Sequence, residues 1–569
     1  MTNTTLRTAV LTTAVLFCGL IVLPLPAQDS PAGNVELGKR IYEQGIGHAG
    51  TPITALGQGD IELSGGDFAC TRCHRRSGFG ASEGGYYIPP ITATYLFEAR
   101  RVQRSDRYRA LFIDPQSARQ SAYVRSPRIR PAYNMETLHT ALATGVDPGD
   151  NRFQDLMPRY QLDQRDMANL YAYLQTLSAE ISPGVDDTHI HYAVVIGPDV
   201  DHQHSQAVLA TMDAFVTWMN ERIGGDQRMN QFFPYDGADV RDWLRKLKLH
   251  EWRLSGDPST WRAQLEAKQA EQPAFALING MVAGSWSPIA QFCNANGIPC
   301  ILPITDFPAI VDAEGQYTVY YDRGLYLEAE LMLNFLSTPP PDKRHNILVW
   351  HAASDRGKIP ADYFRELLRE HGQIKLQKLQ HYPVGDELPA FVSANLERIR
   401  AADTLVIWPD TNADALLQVL AQHDLGEVRL LLPQAAAGAA QTLLATDLAD
   451  QVYFTYPRAL ASGYYPETYR IQGWMNSRGL EVIDQRLHFK AHYGMMIVFD
   501  AMRHIFNNFH RDYFLELIEH EVEGSKNPGL YPRLSLGPDQ RYLSKGGYIV
   551  KPADQQPDYI AAVTDWIIP

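Results

Sequence analysis

Cys70-Thr71-Arg72-Cys73-His74 is the stretch that decides how the first third of this 569-residue chain is read. Two thiols with two residues between them, followed at once by an imidazole, match the signature of covalent c-type haem attachment. The chemistry sets the spacing. The thiols add to two vinyl groups on one side of a porphyrin, and the next residue reaches the iron from beneath. The two cysteines alone would also read as a redox pair or as half of a zinc site. No second Cys pair stands nearby to complete a zinc site. Cys70 and Cys73 are therefore read as the thioether residues of one haem c, and His74 as an iron ligand.

The N-terminus agrees with this chemistry, because haem attachment takes place after export. Arg7 precedes an apolar run from Thr8 to Leu23, and Pro24-Leu25-Pro26-Ala27 follows. This reads as a secretory signal, residues 1–27, cleaved after Ala27. The run is short for a retained membrane anchor. Cys18 follows the bulky Phe17 and is not read as a lipid attachment site. The mature protein is expected in the periplasm with no membrane span. An oxidising compartment also preserves disulfides. Cys293 and Cys300 are expected to be bridged, with two buried thiols as the alternative.

Around the motif, residues 33–181 read as one largely helical module. Val35 to Tyr42 has apolar residues at helical spacing. Leu138 and Leu142 suggest another helix, stopped by Gly145. Asp163 can cap a third, whose apolar stripe is Met167, Leu170, Tyr171, Leu174 and Leu177. The second axial ligand is read as Met157, in the Met157-Pro158 turn before that last helix. His/Met ligation raises the reduction potential and suits electron transfer. Met135 is its rival, and His48 or His139 would give bis-His iron. The other histidines read as surface or capping groups. Between Arg100 and Arg130 stand nine arginines against Asp106 and Asp114. They read as a solvated or propionate-facing surface, or as a docking face for an acidic partner.

On Cys70, Cys73, His74, Met157-Pro158-Arg159-Tyr160 and the Met167–Leu177 helix, this module resembles the class I cytochrome c family. The resemblance implies an all-α haem domain with one haem edge exposed for electron exchange. The arginine-rich insertion departs from a minimal member.

Ser182-Pro183-Gly184, followed by Asp186 and Asp187, reads as a linker over 182–188. Beyond it, short apolar runs alternate with helical patterns: Tyr192–Ile196, Ala274–Ile278, Ile347–Trp350, Leu405–Trp408 and Val428–Leu432. That alternation implies parallel sheets, in two lobes for a stretch this long. Charge differs too. Residues 28–182 hold 17 basic and 17 acidic residues, so the formal −14 of the chain falls on the rest. An extended basic surface for nucleic acid is absent.

Ligands in open α/β sheets bind beyond the carboxyl ends of strands. Ser285, Ser287, Thr305 and Asp306 follow two such strands, and Asp410, Thr411 and Asn412 follow a third. These seven are the candidate solute residues; the competing reading is ordinary helix capping. On Tyr192–Gly197, Ala276–Gly280, Gly297–Asp306, Leu405–Asp410 and a late helix from Tyr493 to Phe506, residues 189–569 resemble the type I periplasmic binding proteins of the branched-chain amino acid receptor type. The resemblance implies one lobe of 189–322 with 457–569, another of 323–456, and a ligand in the cleft between them.

The fold expected is therefore multidomain: an all-α cytochrome c domain, then a two-lobed α/β binding domain. The function expected is that of an electron carrier, not an enzyme, because no catalytic constellation is visible. Its partners would be a periplasmic dehydrogenase, such as a quinone-cofactor enzyme, or another cytochrome, and a small-molecule solute. The alternative is a receptor or sensor of the ABC-transporter type with a redox-active haem.

Overall fold

The computed structural model of the chain describes residues 33–83, 86–102, 128–225, 245–310, 317–338, 345–461, 463, 465–524, 527–537 and 540–569. The signal read from residues 1–27 and most of the arginine-rich insertion lie outside these residues. Two compact units result. One is the chain up to Cys70 together with Tyr133–Gln175; the other is Thr71–Ala132 together with Thr176–Pro569. The division passes through the haem motif itself.

The elements of the haem part are α1 (Val35–Gln44), β1 (Thr54–Leu56), β2 (Glu62–Ser64), α2 (Thr71–His74), β3 (Ala81–Glu83), β4 (Tyr86–Ile88), α3 (Ala93–Phe97), β5 (Arg100–Val102), β6 (Arg128–Arg130), α4 (Met135–Thr144), β7 (Arg159–Gln161) and α5 (Gln164–Leu174). The expectation of an all-α domain is too simple. The short strands pair as β2-β1-β7, β3-β4 and β5-β6. Three residues are too few for alternation to register in a sequence.

In the first unit α1 and α5 pack against each other. Their contact needs glycine: a Cβ on Gly38 would lie 2.0 Å from the Asn169 carbonyl oxygen. Tyr42 and Tyr173 meet beside it with ring centroids 5.3 Å apart. Both helices are capped as short polar side chains dictate. The Asn34 side chain accepts the Leu37 N–H, and Asp163 accepts the N–H groups of Arg165 and Asp166. Gly145 ends α4 at φ +74°, a left-handed cap.

In the second unit, β8 (His189–Ile196), α6 (His202–Gly225), β9 (Lys246–Arg253), α7 (Trp261–Glu271), β10 (Ala276–Ile278), α8 (Ser287–Asn296), β11 (Cys300–Ile301) and β12 (Thr318–Val319) build the first lobe. Its sheet is wholly parallel, in the order β12-β11-β10-β8-β9. The expected bridge is present: Cys293 of α8 is bonded to Cys300 of β11. The second lobe holds α9 (Gly324–Ser337), β13 (His345–His351), α10 (Asp355–Leu368), β14 (Ile374–His381), α11 (Leu388–Arg400), β15 (Thr404–Trp408), α12 (Asp414–Leu420), β16 (Arg429–Leu432), α13 (Ala440–Leu443) and β17 (Val452–Tyr456). Strands such as Tyr192–Ile196 and Leu405–Trp408 are buried along their whole length. Helices cover both faces of such sheets, which is why the sequence shows continuous apolar runs.

The chain then supplies α14 (Pro466–Asn476), α15 (Gln485–Ile505) and α16 (Arg511–Gly524). Ala491, Tyr493 and Val498 of α15 and Phe514 and Ile518 of α16 share the first lobe's core with Val194 and Ile278. It returns once more, as β18 (Tyr548–Pro552) and β19 (Ile560–Ala562), which join the second sheet antiparallel beyond β17. Of the segment 457–569 expected in the first lobe, α15 and α16 do share that lobe's core, while β18 and β19 join the second sheet. Nothing local in a five-residue strand says which of two sheets it will join.

The linker is fastened, not loose. The guanidinium of Arg511, at the start of α16, donates to the carbonyls of Pro183, Ala274, Phe275 and Asn296. The Ser182 N–H donates to the Phe509 carbonyl. Asp186 accepts the N–H groups of Thr188 and His189 and lies 2.8 Å from His191 Nε2, whose Nδ1 is 2.8 Å from His250 Nε2. Several histidines expected at the surface are buried: His191, His345, His351, His488 and His492. His488 meets Thr211 and His345 meets Thr404, so hydrogen bonds offset their burial.

Candidate functional site

The haem motif enters the second unit at α2, a single turn that ends on His74. Cys70 and Cys73 are half-buried thiols, while His74 is only 7 % exposed. The ring's Nδ1 lies 3.0 Å from the Pro89 carbonyl oxygen. A carbonyl can only accept, so Nδ1 carries the proton and Nε2 keeps its lone pair. Burial lowers the imidazole to about 4, the Pro89 bond opposing it, so the ring stays neutral. Two thiols followed by a neutral imidazole with Nδ1 committed are what a covalent haem needs. The residues fit the group.

The chain after His74 is closed on itself. The Gly80 N–H donates to the His74 carbonyl at 3.1 Å, and the Ile91 N–H to the Gly78 carbonyl at 2.7 Å. The second of these holds the Pro89–Ile91 stretch, and with it the acceptor for the His74 ring. No pattern in the sequence signalled Pro89, because its part is played by a main-chain oxygen.

In the first unit, Met157 is half-buried in the turn closed by its N–H on the Gln154 carbonyl. Three residues on, Tyr160 Oη donates to the Phe68 carbonyl at 2.7 Å, two residues before Cys70. The Met157 turn is therefore tied to the chain that leads into the motif. Its rivals are placed otherwise. Met135 opens α4, and His139 is exposed on that helix. His48 Nδ1 lies 3.1 Å from Asp166 Oδ1, and its N–H donates to the same oxygen.

The solute candidates divide in two. In the first lobe Ser285 Oγ donates to Ser287 Oγ at 3.0 Å and accepts the Ser287 N–H. Thr305 Oγ1 lies 3.5 Å from the Gly284 carbonyl and accepts the Phe307 N–H. The fold thus brings Ser285, Ser287, Thr305 and Asp306 together beyond β10 and β11. In the second lobe Asp410 accepts from Ser354 Oγ at 2.7 Å. Thr411 and Asn412 are exposed, and the residue that precedes α12 is Ala413, without a side-chain cap. Capping does not account for those two.

Sequence reading missed a residue that joins the lobes. Arg356, in the first turn of α10, donates to the Asp306 carboxylate. The strand-end rule, applied to β13, would have found Ser354-Asp355-Arg356. The carboxyl ends of β11, β13 and β15 thereby meet at one polar surface.

Comparison with known proteins follows this geometry. Residues 67–178 match the family model described as Cytochrome c. This stretch is a cytochrome c domain. No curated protein sequence matches the chain. Among solved structures, this chain is similar in fold to a branched-chain amino acid ABC transporter protein from Thermus thermophilus with bound valine, at 13 % identity and a TM-score of 0.47, covering 68 % of this chain and 97 % of that one. It is similar to a fatty acid ABC transporter substrate-binding protein from Thermomonospora curvata, at 14 % identity and 0.46, covering 68 % and 95 %. It is also similar to a leucine binding protein from Thermotoga maritima, at 14 % identity and 0.43, covering 67 % and 99 %.

Proposed function

We propose that this protein is a periplasmic electron carrier with one haem c bonded through Cys70 and Cys73, joined to a module that binds a small solute. The match of residues 67–178 to cytochrome c carries the reading, and the His74–Pro89 bond supports it in chemical terms. His74 and Met157 would hold the iron. The haem supplies a one-electron couple. Pro89 fixes the tautomer of His74, and burial keeps the ring neutral, so Nε2 stays available as a donor at every physiological pH. Met157, as a thioether, favours the ferrous state and a raised potential.

In the binding module, Ser285, Ser287 and Thr305 offer hydroxyls, and the Asp306–Arg356 pair offers both charges, at the carboxyl ends of parallel strands in both sheets. A solute there would bridge the lobes. Fusion keeps the haem close to whatever enzyme delivers or releases that solute. A periplasmic dehydrogenase, such as a quinone-cofactor enzyme, is the donor we favour.

The test is to purify the mature protein and denature it. The red pigment should stay with the polypeptide and vanish in the Cys70→Ser, Cys73→Ser double variant. Pigment that separates on denaturation would end the proposal. Thermal-shift screening with amino acids, alcohols and quinone cofactors identifies the solute class. Shifts confined to transportable amino acids would favour a receptor over a dehydrogenase partner.

A further inference from the structure

Three residues after His74 the chain is gripped by the solute-binding module. The Ser77 N–H donates to Glu516 Oε1 at 2.8 Å, and Ser77 Oγ donates to Glu516 Oε2 at 2.5 Å. The pair is 439 residues apart in sequence. On either side the same helix, α16, takes two more residues of this loop. Arg76 Nε lies 3.4 Å from Asp512 Oδ1, and Phe79 stacks on Tyr513 with centroids 4.3 Å apart. The Ser77 carbonyl accepts from Ser178 Oγ at 2.7 Å.

We propose that Glu516 is a positioning residue for the haem iron's histidine, and that proton binding at Glu516 is linked to the iron's oxidation state. The inference rests on the covalent-haem reading above. The mechanical half follows from the hydrogen bonds. Glu516 holds Ser77 at the apex of a loop closed by the Gly80 N–H on the His74 carbonyl. The next residue, Gly78, holds Ile91, two residues past the Pro89 carbonyl that fixes the ring. A shift at Ser77 therefore reaches both ends of the imidazole's support.

The electrostatic half follows from the charges. Burial raises the Glu516 carboxyl to about 8; the Ser77 bonds oppose this, and Asp512 and Glu519 add to it. The neighbours that face it are already engaged with one another. Asp512 has Arg76 and the Tyr317 hydroxyl, the latter at 2.7 Å. Glu519 has Arg541 at 2.8 Å, with Arg75 and Arg76 nearby. His510 lies against Phe79, and burial lowers its titration. Burial raises Glu519 as well, but its Arg541 pair and the nearby Arg75 and Arg76 oppose this, so Glu516 is the acid assigned the proton. Ferric iron carries one more positive charge than ferrous iron and favours the carboxylate. Glu516 takes one proton from solvent when one electron from a redox partner converts ferric to ferrous iron, and it releases that proton on reoxidation.

The experiment measures midpoint potential against pH, from roughly pH 6 to 10 around the carboxyl's titration, on the full-length holoprotein by spectroelectrochemistry. Wild type should show a potential that falls as pH rises through the titration of Glu516. Glu516→Gln should abolish that fall while the haem absorbance stays the same. Ser77→Ala removes one donor to the carboxylate and should move the inflection to higher pH. A Glu516→Gln profile superimposable on wild type overturns the proposal. Should that variant fail to fold, an unmoved inflection in Ser77→Ala overturns it equally. Loss of covalent pigment in the wild type would instead overturn the haem reading, and this inference with it.

Discussion

The proposed ligand role of His74 requires its Nδ1–H to point at the Pro89 carbonyl, so its competence would depend on main-chain geometry some 15 residues away. The proposed thioether ligand, Met157, sits in a turn held by its own N–H on the Gln154 carbonyl, with Tyr160 bonded to Phe68 three residues on. Met157→Ala should leave the pigment covalently bound, but the reduced spectrum should lose its low-spin His/Met character and carbon monoxide should bind. An unchanged spectrum, inert to carbon monoxide, would rule Met157 out. A second residue makes a pH prediction. Glu328 of α9 is 6 % exposed and accepts from the Gln434 N–H and the Thr455 hydroxyl. Burial raises its carboxyl from 4.5 to about 7. The folded state therefore holds this proton more tightly than the unfolded chain. The resulting stabilisation is fully present below about pH 4.5 and is lost as pH rises through about 7. Relative to Glu328→Gln, wild-type stability should fall by ~3 kcal/mol across that window in urea unfolding. A difference that does not vary with pH would refute it.

Among the elements, two contacts carry more than their size suggests. The α1–α5 contact depends on Gly38, whose added Cβ would meet the Asn169 backbone. Backbone cannot rotate aside as a side chain can. Gly38→Ala should therefore destabilise the first unit by roughly 1–3 kcal/mol, measured by thermal or urea unfolding. At the start of α16, Arg511 serves four carbonyl oxygens, and burial lowers its guanidinium to about 10. Arg511→Met removes those donors at once and should cost about 2–4 kcal/mol, because buried acceptors are left unsatisfied. Retained wild-type unfolding would show that water replaces the guanidinium.

On the scale of the whole molecule, what was legible in the sequence was what is local. The thiol and imidazole spacing is covalent chemistry, and it can be read without a fold. The Asp163 cap and the Gly145 stop follow from rules that operate within one helical turn, and both are present. Runs such as Leu405–Trp408 show as strands because both their faces are buried. The strands of the haem part escaped because three residues hold no period. The turn of 548–562 into the second sheet escaped because register with β17 is decided by tertiary contact. Ser77–Glu516 and Asp306–Arg356 escaped for the same reason, since each side chain alone is unremarkable. Of the solute candidates, the cluster of Ser285, Ser287, Thr305 and Asp306 was legible because strand ends are where such folds gather polar groups. Its counter-charge was not. Arg356→Ala should weaken the response of the binding module to whichever solute shifts its melting temperature, with little change in basal stability, since exposed ion pairs contribute about 1 kcal/mol or less.

The anchoring of Ser182 and Pro183 has a practical corollary. A bond cut between residues 184 and 188 would sever the polypeptide without freeing its pieces. The amino-terminal fragment would stay seated through Ser77, Arg76 and Phe79 on α16. After such a nick the two fragments should elute together from a sizing column, pigment included, and part only in denaturant.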